Sequence, residues 1–433
     1  MGPRRPPHRA RQLAKLVTAP LEPGYNEPGF ARSRDAEVAP MKHCSRRDFL
    51  GAMGIAASAC LARPALLAAR PAPSSRVAIG LCPTYDSKVT STLSTMFDQL
   101  GGIRSMVSGK TVAIKLNMTG PANDRFNAMP NAMTHWVNPQ VIGSLLTLLD
   151  QAGARRIRLL ESAPIGAKPL EDFMLSAGWQ PRDFISAARR VEFENTNYLG
   201  SGKSYATFMV PGGGLLYKGY DLNHSYRDTD VFISLAKLKE HRTAGVTLSM
   251  KNCFGITPVT VYGPDVPEDE PSLVPTGFRS PMHSGSRVPP KSAPQPVSDE
   301  AANSHDPGWR VPRITADLVA ARPIHLAVID GIYTMTGGEL PNQSRNWIHE
   351  PVHPGVLIAG LNPVCTDSVA TSVMGLDPMA ERGAPPFETC DSTLSLAEHL
   401  GVGTRDLTRI EVAGTPIAKA RFPFKPLSQL VTA

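Results

Sequence analysis

The chain has 433 residues, of which 42% are hydrophobic and 19% are charged, so it can bury a globular core without disulfide support. Its net charge is +7, but the first 47 residues carry ten Lys and Arg against four Asp and Glu, which leaves the body nearly neutral. No basic stripe interleaved with aromatic residues follows, and this argues against nucleic-acid binding. The six cysteines form no Cys-x-x-Cys pair, so the motifs of a ferredoxin-type iron–sulfur cluster and of a zinc ribbon are absent.

The first 70 residues have the pattern of a leader. Residues 1–40 are rich in Pro and Arg without periodicity, which predicts either a disordered segment or a start assigned too early. Residues 41–70 contain Ser45-Arg46-Arg47-Asp48-Phe49-Leu50, which looks like a twin-arginine translocation signal. The apolar run Gly51–Leu61 that follows is too short to span a bilayer. We therefore expect the twin-arginine translocase as a partner, a periplasmic or other extracytoplasmic location, and a mature body without a transmembrane span.

A second interpretation of the leader is a lipoprotein signal. Cys60 follows Ala57-Ser58-Ala59, which resembles a lipobox without its usual Leu, whereas Leu66–Ala69 offers small residues for ordinary cleavage. Because the twin-arginine route exports folded proteins and many of its clients carry a cofactor, the signal also favours a cofactor here.

The body alternates strand and helix patterns. The predicted strands are Arg76–Leu81, Thr111–Leu116, Arg156–Leu160, Asp230–Leu235, Ile324–Asp330 and Gly355–Ala359. The predicted helices are Val89–Leu100, a segment from the Asn138-Pro139 cap to Ala152-Gly153, Thr243–Phe254, Ile314–Ala320 and Cys365–Met374. This order predicts an α/β fold with a mostly parallel sheet flanked by helices. We assign residues 76–415 to this domain, with a Pro-rich irregular insertion at 258–312 and a C-terminal tail at 416–433.

Polar residues follow several of these strands. Ligands of open parallel sheets bind beyond the carboxyl ends of the strands, where Lys115, Asn117, Glu161 and Ser162 are expected. Asp330, at another strand end, is a candidate for orienting groups or holding a cation. Asp367, near a helix start, has the same candidate role or is only a partner of the helix dipole.

The segment Lys237–Gly255 is the strongest candidate for a functional site. It gathers three lysines, a histidine and an arginine where a strand ends and a helix is expected to begin, which predicts an anion site. His241 has the chemistry of a general base or a metal ligand. The competing interpretation is a solvated basic helix end. The small Ala244 and Gly245 argue against it, because they would let a ligand approach closely.

These observations give one candidate set. The candidate catalytic residues are His241 and Lys251. The candidate ligand- or cofactor-binding residues are Lys115, Asn117, Lys237, Lys239, Asn252, Asp330 and Asp367. Metal ligands stay unidentified, because no triad of ligating side chains stands out.

Four stretches resemble domain-of-unknown-function family 362: Val112–Asn117, Lys237–Gly255, Ile329–Ile332 and Asn362–Pro378. The similarity covers most of residues 76–415. Some members of that family carry an added ferredoxin domain and are described as iron–sulfur proteins. This chain lacks the required Cys pattern, and its Gly-rich turn after Asp330 also departs from the family type.

A shorter similarity involves His241-x-x-Ala244-Gly245 with Lys251 ten residues after the histidine. It resembles a segment of the nickel-pincer lactate racemases, in which a histidine is catalytic and a lysine anchors the cofactor. By that resemblance His241 would move a substrate proton and Lys251 would hold a pyridinium-type or metal-containing cofactor.

The sequence therefore favours an exported, cofactor-dependent enzyme that acts on a small anionic substrate. The alternative is a non-catalytic periplasmic ligand-binding protein or redox accessory protein. The His241→Ala variant distinguishes the two, because it would remove turnover from an enzyme but only affinity from a binding protein.

The leader prediction has a direct measurement. Intact-mass analysis of the protein recovered from its host should show a mature N-terminus after the apolar run and no lipid. A diacylglyceryl mass on Cys60 would instead establish the lipoprotein interpretation.

Overall fold

In the computed structural model the described residues are 71–341 and 347–431, all within one compact unit, Arg70–Ala433. The predicted leader, with its twin-arginine segment and Cys60, lies outside the described residues. Within these two ranges no helix is both long and apolar enough to cross a membrane.

The strands build one large sheet and three small antiparallel pairs. In chain order they are β1 (Val77–Leu81), β2 (Thr111–Lys115), β3 (Arg156–Glu161), β4 (Val191–Asn195), β5 (Ala206–Met209), β6 (Gly219–Leu222), β7 (Val231–Lys237), β8 (Glu240–His241), β9 (Gly245–Val246), β10 (Leu326–Gly331), β11 (Thr334–Thr336), β12 (Glu350–Val352), β13 (Val356–Gly360) and β14 (Val412–Gly414). The large sheet has the order β14-β1-β13-β10-β7-β2-β3-β4, and β5–β6, β8–β9 and β11–β12 form the pairs.

The large sheet is mostly parallel, as predicted. Strands β10, β7, β2, β3 and β4 run parallel to one another, and β1 runs parallel to β14. Strand β13 alone reverses direction, pairing antiparallel with both β1 and β10. The carboxyl ends of β2, β3, β4 and β7 therefore meet at one edge of the sheet.

Helices cover both faces of the sheet. They are Lys88–Gln99, Arg104–Val107, Pro139–Gln151, Leu170–Ser176, Pro181–Ile185, Leu248–Asn252, Val259–Tyr262, Ser280–Ser284, Asp299–Asn303, Pro307–Ala321, Pro363–Val373, Thr393–His399 and Ile417–Ala420. The alternation along β2 shows the two layers, because Val112 and Ile114 pack into one core cluster while Ala113 packs into another. Burial on both sides explains why the central strands are almost continuously apolar.

Side-chain caps set the starts of two long helices, Pro139–Gln151 and Pro307–Ala321. Asn138 accepts the backbone N–H of Gln140 ahead of Pro139, which is the cap predicted from the sequence. Asp306 accepts the N–H of Gly308, so the helix predicted over Ile314–Ala320 begins earlier, at Pro307. Pro312 lies in the second turn of that helix, which is why the sequence pattern suggested a later start.

The single helix predicted over Thr243–Phe254 is wrong. A tight β8–β9 hairpin pairs His241 with Gly245, and a helix follows only at Leu248–Asn252. Gly245 has φ +73°, and a Cβ there would lie 2.4 Å from the Phe387 ring. Glycine is therefore required by both the backbone and the packing, and it stops a helix from passing through.

The short helix Leu248–Asn252 does not provide the anion site that was expected at its N-terminus. One carboxylate oxygen of Asp367 accepts from the N–H and the hydroxyl of Ser249, at 2.9 and 2.6 Å, and the other accepts from the N–H of Met250 at 2.9 Å. A buried side chain of the protein thus occupies the donors that an anionic ligand would need. Burial raises the pKa of Asp367 to about 7, against the lowering effect of these bonds.

The insertion at 258–312 contains three short helices, and Arg310 connects it to the rest of the domain through a hydrogen bond of 3.1 Å to the Tyr217 hydroxyl. This buried guanidinium donates to the carbonyl oxygens of Ala301 (2.7 Å), Ser304 (3.1 Å) and Met282 (3.2 Å). Each of these acceptors belongs to the insertion, so the start of the Pro307–Ala321 helix organises the chain that precedes it.

Replacing Asp367 should destabilise the protein. Asp367→Ala leaves three buried donors unpaired, and we expect a loss of about 3 kcal/mol in the free energy of unfolding, measured by urea denaturation. Asp377→Ala is the matched control, because that exposed carboxylate caps only the N–H of Met379. Equal midpoints for the two variants would contradict the assigned role.

Candidate functional site

A cavity of about 540 Å³ opens at the carboxyl edge of the parallel strands. Residues that follow β2, β3 and β4 form its floor, the β8–β9 hairpin and the short helix after it form one wall, and residues 277–284 of the insertion form another. Glu339 and Leu340 complete the lining. The position agrees with the general rule for open α/β sheets.

The floor is built around a buried ion pair between Lys115 and Glu161. The Lys115 ammonium donates to Glu161 and to the carbonyl of Leu116, both at 2.6 Å, and more weakly to Asn252 at 3.4 Å. All three of its hydrogens are thereby used, and its charge is balanced by a carboxylate. Burial lowers the pKa of Lys115 and Glu161 opposes that effect. Lys115 therefore shapes the site without offering a free charge to a ligand.

Two asparagines link this floor to the neighbouring strand. Asn252 accepts from the amide of Asn117 at 3.0 Å and donates to Ser234 of β7 at 3.0 Å. The carbonyl oxygen of the Asn117 side chain is buried and has no hydrogen-bond partner among the described residues. This acceptor lies in a residue that lines the cavity, so it is a natural partner for a ligand hydroxyl, a ligand N–H or a water.

Two further cations line the cavity without a carboxylate ion pair among the described residues. The Lys251 ammonium lies 4.3 Å from the centre of the Phe254 ring and makes no hydrogen bond within residues 71–341 and 347–431. Burial, with the charges of Arg279 and Lys115, lowers the pKa of Lys251 to about 7, while Glu339 acts in the opposite direction. Arg279 makes one long hydrogen bond, 3.4 Å, to the carbonyl of Gly255.

His241 is held in one tautomer. Its Nδ1 accepts the backbone N–H of Thr243 at 3.2 Å, so the neutral ring carries its proton on Nε2. Glu339 approaches the same Nδ1 at 3.9 Å. Burial holds the pKa of His241 well below its usual value, and the charges of Lys251 and Lys239 add to that effect. His241 thus stands in the cavity wall as a neutral hydrogen-bond donor.

His283 is held in the opposite tautomer. Its Nδ1 lies 3.0 Å from the carbonyl oxygen of Arg279, and because a carbonyl only accepts, that nitrogen carries the proton. The Nε2 atom therefore keeps its lone pair. Burial, and then the charge of Lys251, lower the pKa of His283 to about 4, so the ring is neutral at physiological pH.

The structure brings five of the predicted site residues to the cavity and places four elsewhere. Those that line it are Lys115, Asn117, His241, Lys251 and Asn252. Lys237 and Asp330 instead form a buried ion pair of 3.0 Å, to which the Tyr85 hydroxyl adds a hydrogen bond to Asp330 of 2.8 Å. Asp367 caps the short helix, as described above.

Lys239 is the fourth residue outside the cavity lining. Its ammonium donates to the carbonyl oxygens of His135 at 2.9 Å and of Glu339 at 3.0 Å. Burial lowers its pKa to about 7. Lys239 therefore positions the segment that carries Glu339 and does not face a ligand.

Sequence reasoning missed Arg279 and His283, because both lie in the insertion that was treated as irregular. Their spacing of four residues was the available signal, since such pairs share one side of a helical turn. Arg279 directly precedes the helix Ser280–Ser284 and His283 lies within it, and residues 280, 283 and 284 of this helix line the cavity. Among the described residues no group of three or more His, Cys, Asp and Glu side chains is arranged to hold a metal ion.

Comparison with known proteins identifies the family. The family model described as "Domain of unknown function (DUF362)" matches residues 112–372, which is more than half of the chain, so the chain belongs to this family. A search of curated proteins gives no match.

One solved structure, of a Thermotoga maritima protein from the Northeast Structural Genomics Consortium, is 16% identical to this chain. The match covers 59% of this chain and 52% of that protein with a TM-score of 0.30, so the chain spans about half the length of the protein it matches.

The two tautomers can be measured directly. Two-bond ¹H–¹⁵N correlation spectra of histidine-labelled protein near neutral pH should show His241 protonated on Nε2 and His283 protonated on Nδ1, since different backbone partners fix the rings. Single His→Gln variants assign the signals. A positively charged His283 ring at pH 6 would contradict the lowered pKa of about 4.

Proposed function

For this member of the DUF362 family, we propose that the cavity binds a small anionic substrate and that the protein acts on it as an enzyme that moves a proton. The observation that supports this best is the pairing of two cations, Lys251 and Arg279, with two neutral histidines of opposite tautomer around one cavity. The cations would hold the charge of the substrate. The histidines would supply one donor and one acceptor for a proton.

The charges of the cavity favour an anion. Its lining contains the cations Lys115, Lys251 and Arg279 and the carboxylates Glu161 and Glu339. Lys115 and Glu161 neutralise one another, so they contribute little to the charge that a ligand meets. A positive surplus in a partly buried space favours small anions, because the low dielectric strengthens each interaction.

His283 is the stronger candidate for accepting a proton, and His241 for donating a hydrogen bond. A base needs a lone pair directed to the substrate, and the free lone pair of His283 is on Nε2. The role of acid/base that the sequence suggested for His241 would require its proton to move to Nδ1, where the N–H of Thr243 now donates. Glu339, 3.9 Å away, would then stabilise that alternative tautomer.

A non-catalytic binding protein is the second candidate. The unpartnered oxygen of Asn117 favours it, because a fixed acceptor beside two cations selects a ligand without any chemistry. His241→Ala and His283→Ala separate the candidates. An enzyme would lose turnover and still bind its ligand, whereas a binding protein would lose affinity or remain unchanged.

We further propose that the protein is exported by the twin-arginine translocase and acts outside the cytoplasm, on the strength of the Ser45–Leu50 motif.

The resemblance to nickel-pincer lactate racemases adds that Lys251 would carry a covalent cofactor. Its ammonium lies in the cavity with no hydrogen bond to the described residues, which suits covalent attachment. Excess mass on Lys251 of protein purified from its host would test that attachment.

Removing either unpaired cation should weaken anion binding. We expect Lys251→Met and Arg279→Gln each to lower the affinity for acetate or inorganic phosphate by roughly 10- to 100-fold, measured by calorimetry, because a charge-assisted hydrogen bond is lost. Lys168→Met, which removes an exposed lysine, is the matched control. Unchanged affinity in both cavity variants would refute the anion site.

Binding should also depend on pH. An anion favours the ammonium form of Lys251, whose pKa is lowered to about 7, so the affinity is greatest below that pH and falls as the pH rises through it. The affinity falls by at most about tenfold per pH unit, and at high pH it levels off at the affinity that Arg279 alone supports. Lys251→Met should abolish this pH dependence. A profile that is flat from pH 6 to pH 9 in the unmodified protein would contradict it.

A further inference from the structure

We propose that Lys251 is a nucleophile that forms an imine with the carbonyl carbon of a small 2-oxo carboxylate bound in the cavity. This inference rests on the proposed anion site, replaces a permanent covalent cofactor on Lys251 with a transient imine, and narrows the substrate class, since the ligand must carry a carbonyl group next to its negative charge. Imine formation by a lysine needs an accessible amine, a neutral nitrogen and a second group that holds the ligand.

The first requirement distinguishes Lys251 from the other lysines of its neighbourhood. Lys115, Lys237 and Lys239 each donate at least two hydrogen bonds to fixed acceptors. Lys251 makes none with the described residues, and its ammonium lies 4.3 Å from the centre of the Phe254 ring. Its nitrogen can therefore reach a ligand in the cavity without breaking a hydrogen bond to the described residues.

The second requirement follows from the charges around Lys251. Arg279 and Lys115 disfavour its ammonium form, Glu339 favours it, and burial has the largest effect, so the pKa falls to about 7. The other titratable groups that line the cavity are His241, His283 and Glu161. Both histidines are neutral, and Glu161 is bound to Lys115. About half of Lys251 is then neutral at pH 7, against less than a thousandth of an ordinary lysine.

The third requirement is met by Arg279. A guanidinium keeps its charge at every physiological pH, so it can hold the carboxylate while Lys251 loses its proton. With the described residues the Arg279 guanidinium makes one long hydrogen bond, 3.4 Å, which leaves other donors for a bidentate carboxylate. The two cations thus have separate tasks, one binding the charge and the other attacking the carbon.

The histidines suit the proton movements of this reaction. The Lys251 lone pair adds to the carbonyl carbon, the carbon–oxygen π pair moves to oxygen, and the Nε2–H of His241 can donate a hydrogen bond to that oxygen. The Nε2 lone pair of His283 can accept a proton from nitrogen and return it to oxygen, which gives a neutral carbinolamine. One further proton, taken up from water through His283, then lets the hydroxyl leave as water. Nothing is oxidised or reduced, and the neutral amine, the carbonyl group and one proton give an iminium on Lys251 and one water.

Phe254 places His283 beside the reacting amine. The centre of its ring lies 4.7 Å from the centre of the His283 ring and 4.3 Å from the Lys251 nitrogen. The charge of Lys251 is also the second largest cause of the lowered pKa of His283. A base next to an iminium could go on to remove a proton from the adjacent carbon of the ligand, which is the proton transfer proposed above.

The test is reductive trapping. The purified full chain is incubated at pH 7 with glyoxylate, and in parallel with pyruvate, in the presence of sodium cyanoborohydride, and the adduct is located by peptide mass mapping. We expect one carboxymethyl group from glyoxylate on Lys251, formed on the order of 10³-fold faster than on exposed lysines because of the neutral fraction. Lys239 is the internal control, because its pKa is equally lowered but its nitrogen is bound to two carbonyl oxygens.

Lys251→Arg, which keeps the charge, and Lys251→Met should both abolish the fast adduct while circular dichroism shows the same fold. Acetate, which lacks a carbonyl, is titrated in parallel. Acetate binding without trapping on Lys251 overturns the imine and leaves the anion site standing. Trapping that neither acetate nor Arg279→Gln slows supports the imine and overturns the anion site. The absence of both trapping and acetate binding overturns both proposals.

Discussion

The buried ion pair of Lys115 and Glu161 is the interaction on which the rest of the site depends. Two charges removed from water are costly unless each is fully hydrogen-bonded, and here the carboxylate also accepts the backbone N–H groups of Met118 at 2.9 Å and Ser162 at 2.8 Å. Those two N–H groups begin the chain segments that leave β2 and β3. The pair therefore fixes both segments at the sheet edge, and the cavity lies between them.

Because this pair is neutral as a unit, the charge that a ligand meets comes from other elements. Lys251 arrives on the short helix after the β8–β9 hairpin, and Arg279 and His283 arrive on the insertion. Asn252 connects the floor of the cavity to strand β7, since it forms hydrogen bonds with Asn117 after β2 and with Ser234 within β7. The sheet thus supplies a floor whose charges balance, while the short helix and the insertion supply the cations Lys251 and Arg279.

Local sequence patterns predicted those parts of the fold that depend only on residues close together in the chain. Apolar runs that end in a polar residue marked β2 and β3, and Asn138-Pro139 marked a helix start. Two features lay beyond such reasoning. The break at Gly245 depends on close packing against Phe387, and the placement of Arg279 and His283 depends on the bond from Arg310 to the carbonyl oxygen of Met282. Both contacts join residues that are distant in the chain, since Met282 lies 28 residues from Arg310 and Phe387 lies farther still from Gly245.

The same dependence on distant contacts explains why only some of the predicted charged residues line the cavity. The sequence showed a cluster of lysines but could not show which of them have partners, because Asp330 lies 93 residues from Lys237 and Glu161 lies 46 residues from Lys115. Asp367 similarly occupies the helix donors that an anion would otherwise use. The protein thus uses these backbone donors, together with Lys115, Lys237 and Lys239, for its own structure. In the proposed anion site, Lys251 and Arg279 would hold the ligand, and because burial lowers the pKa of Lys251 to about 7, the site would combine a permanent charge with a switchable one.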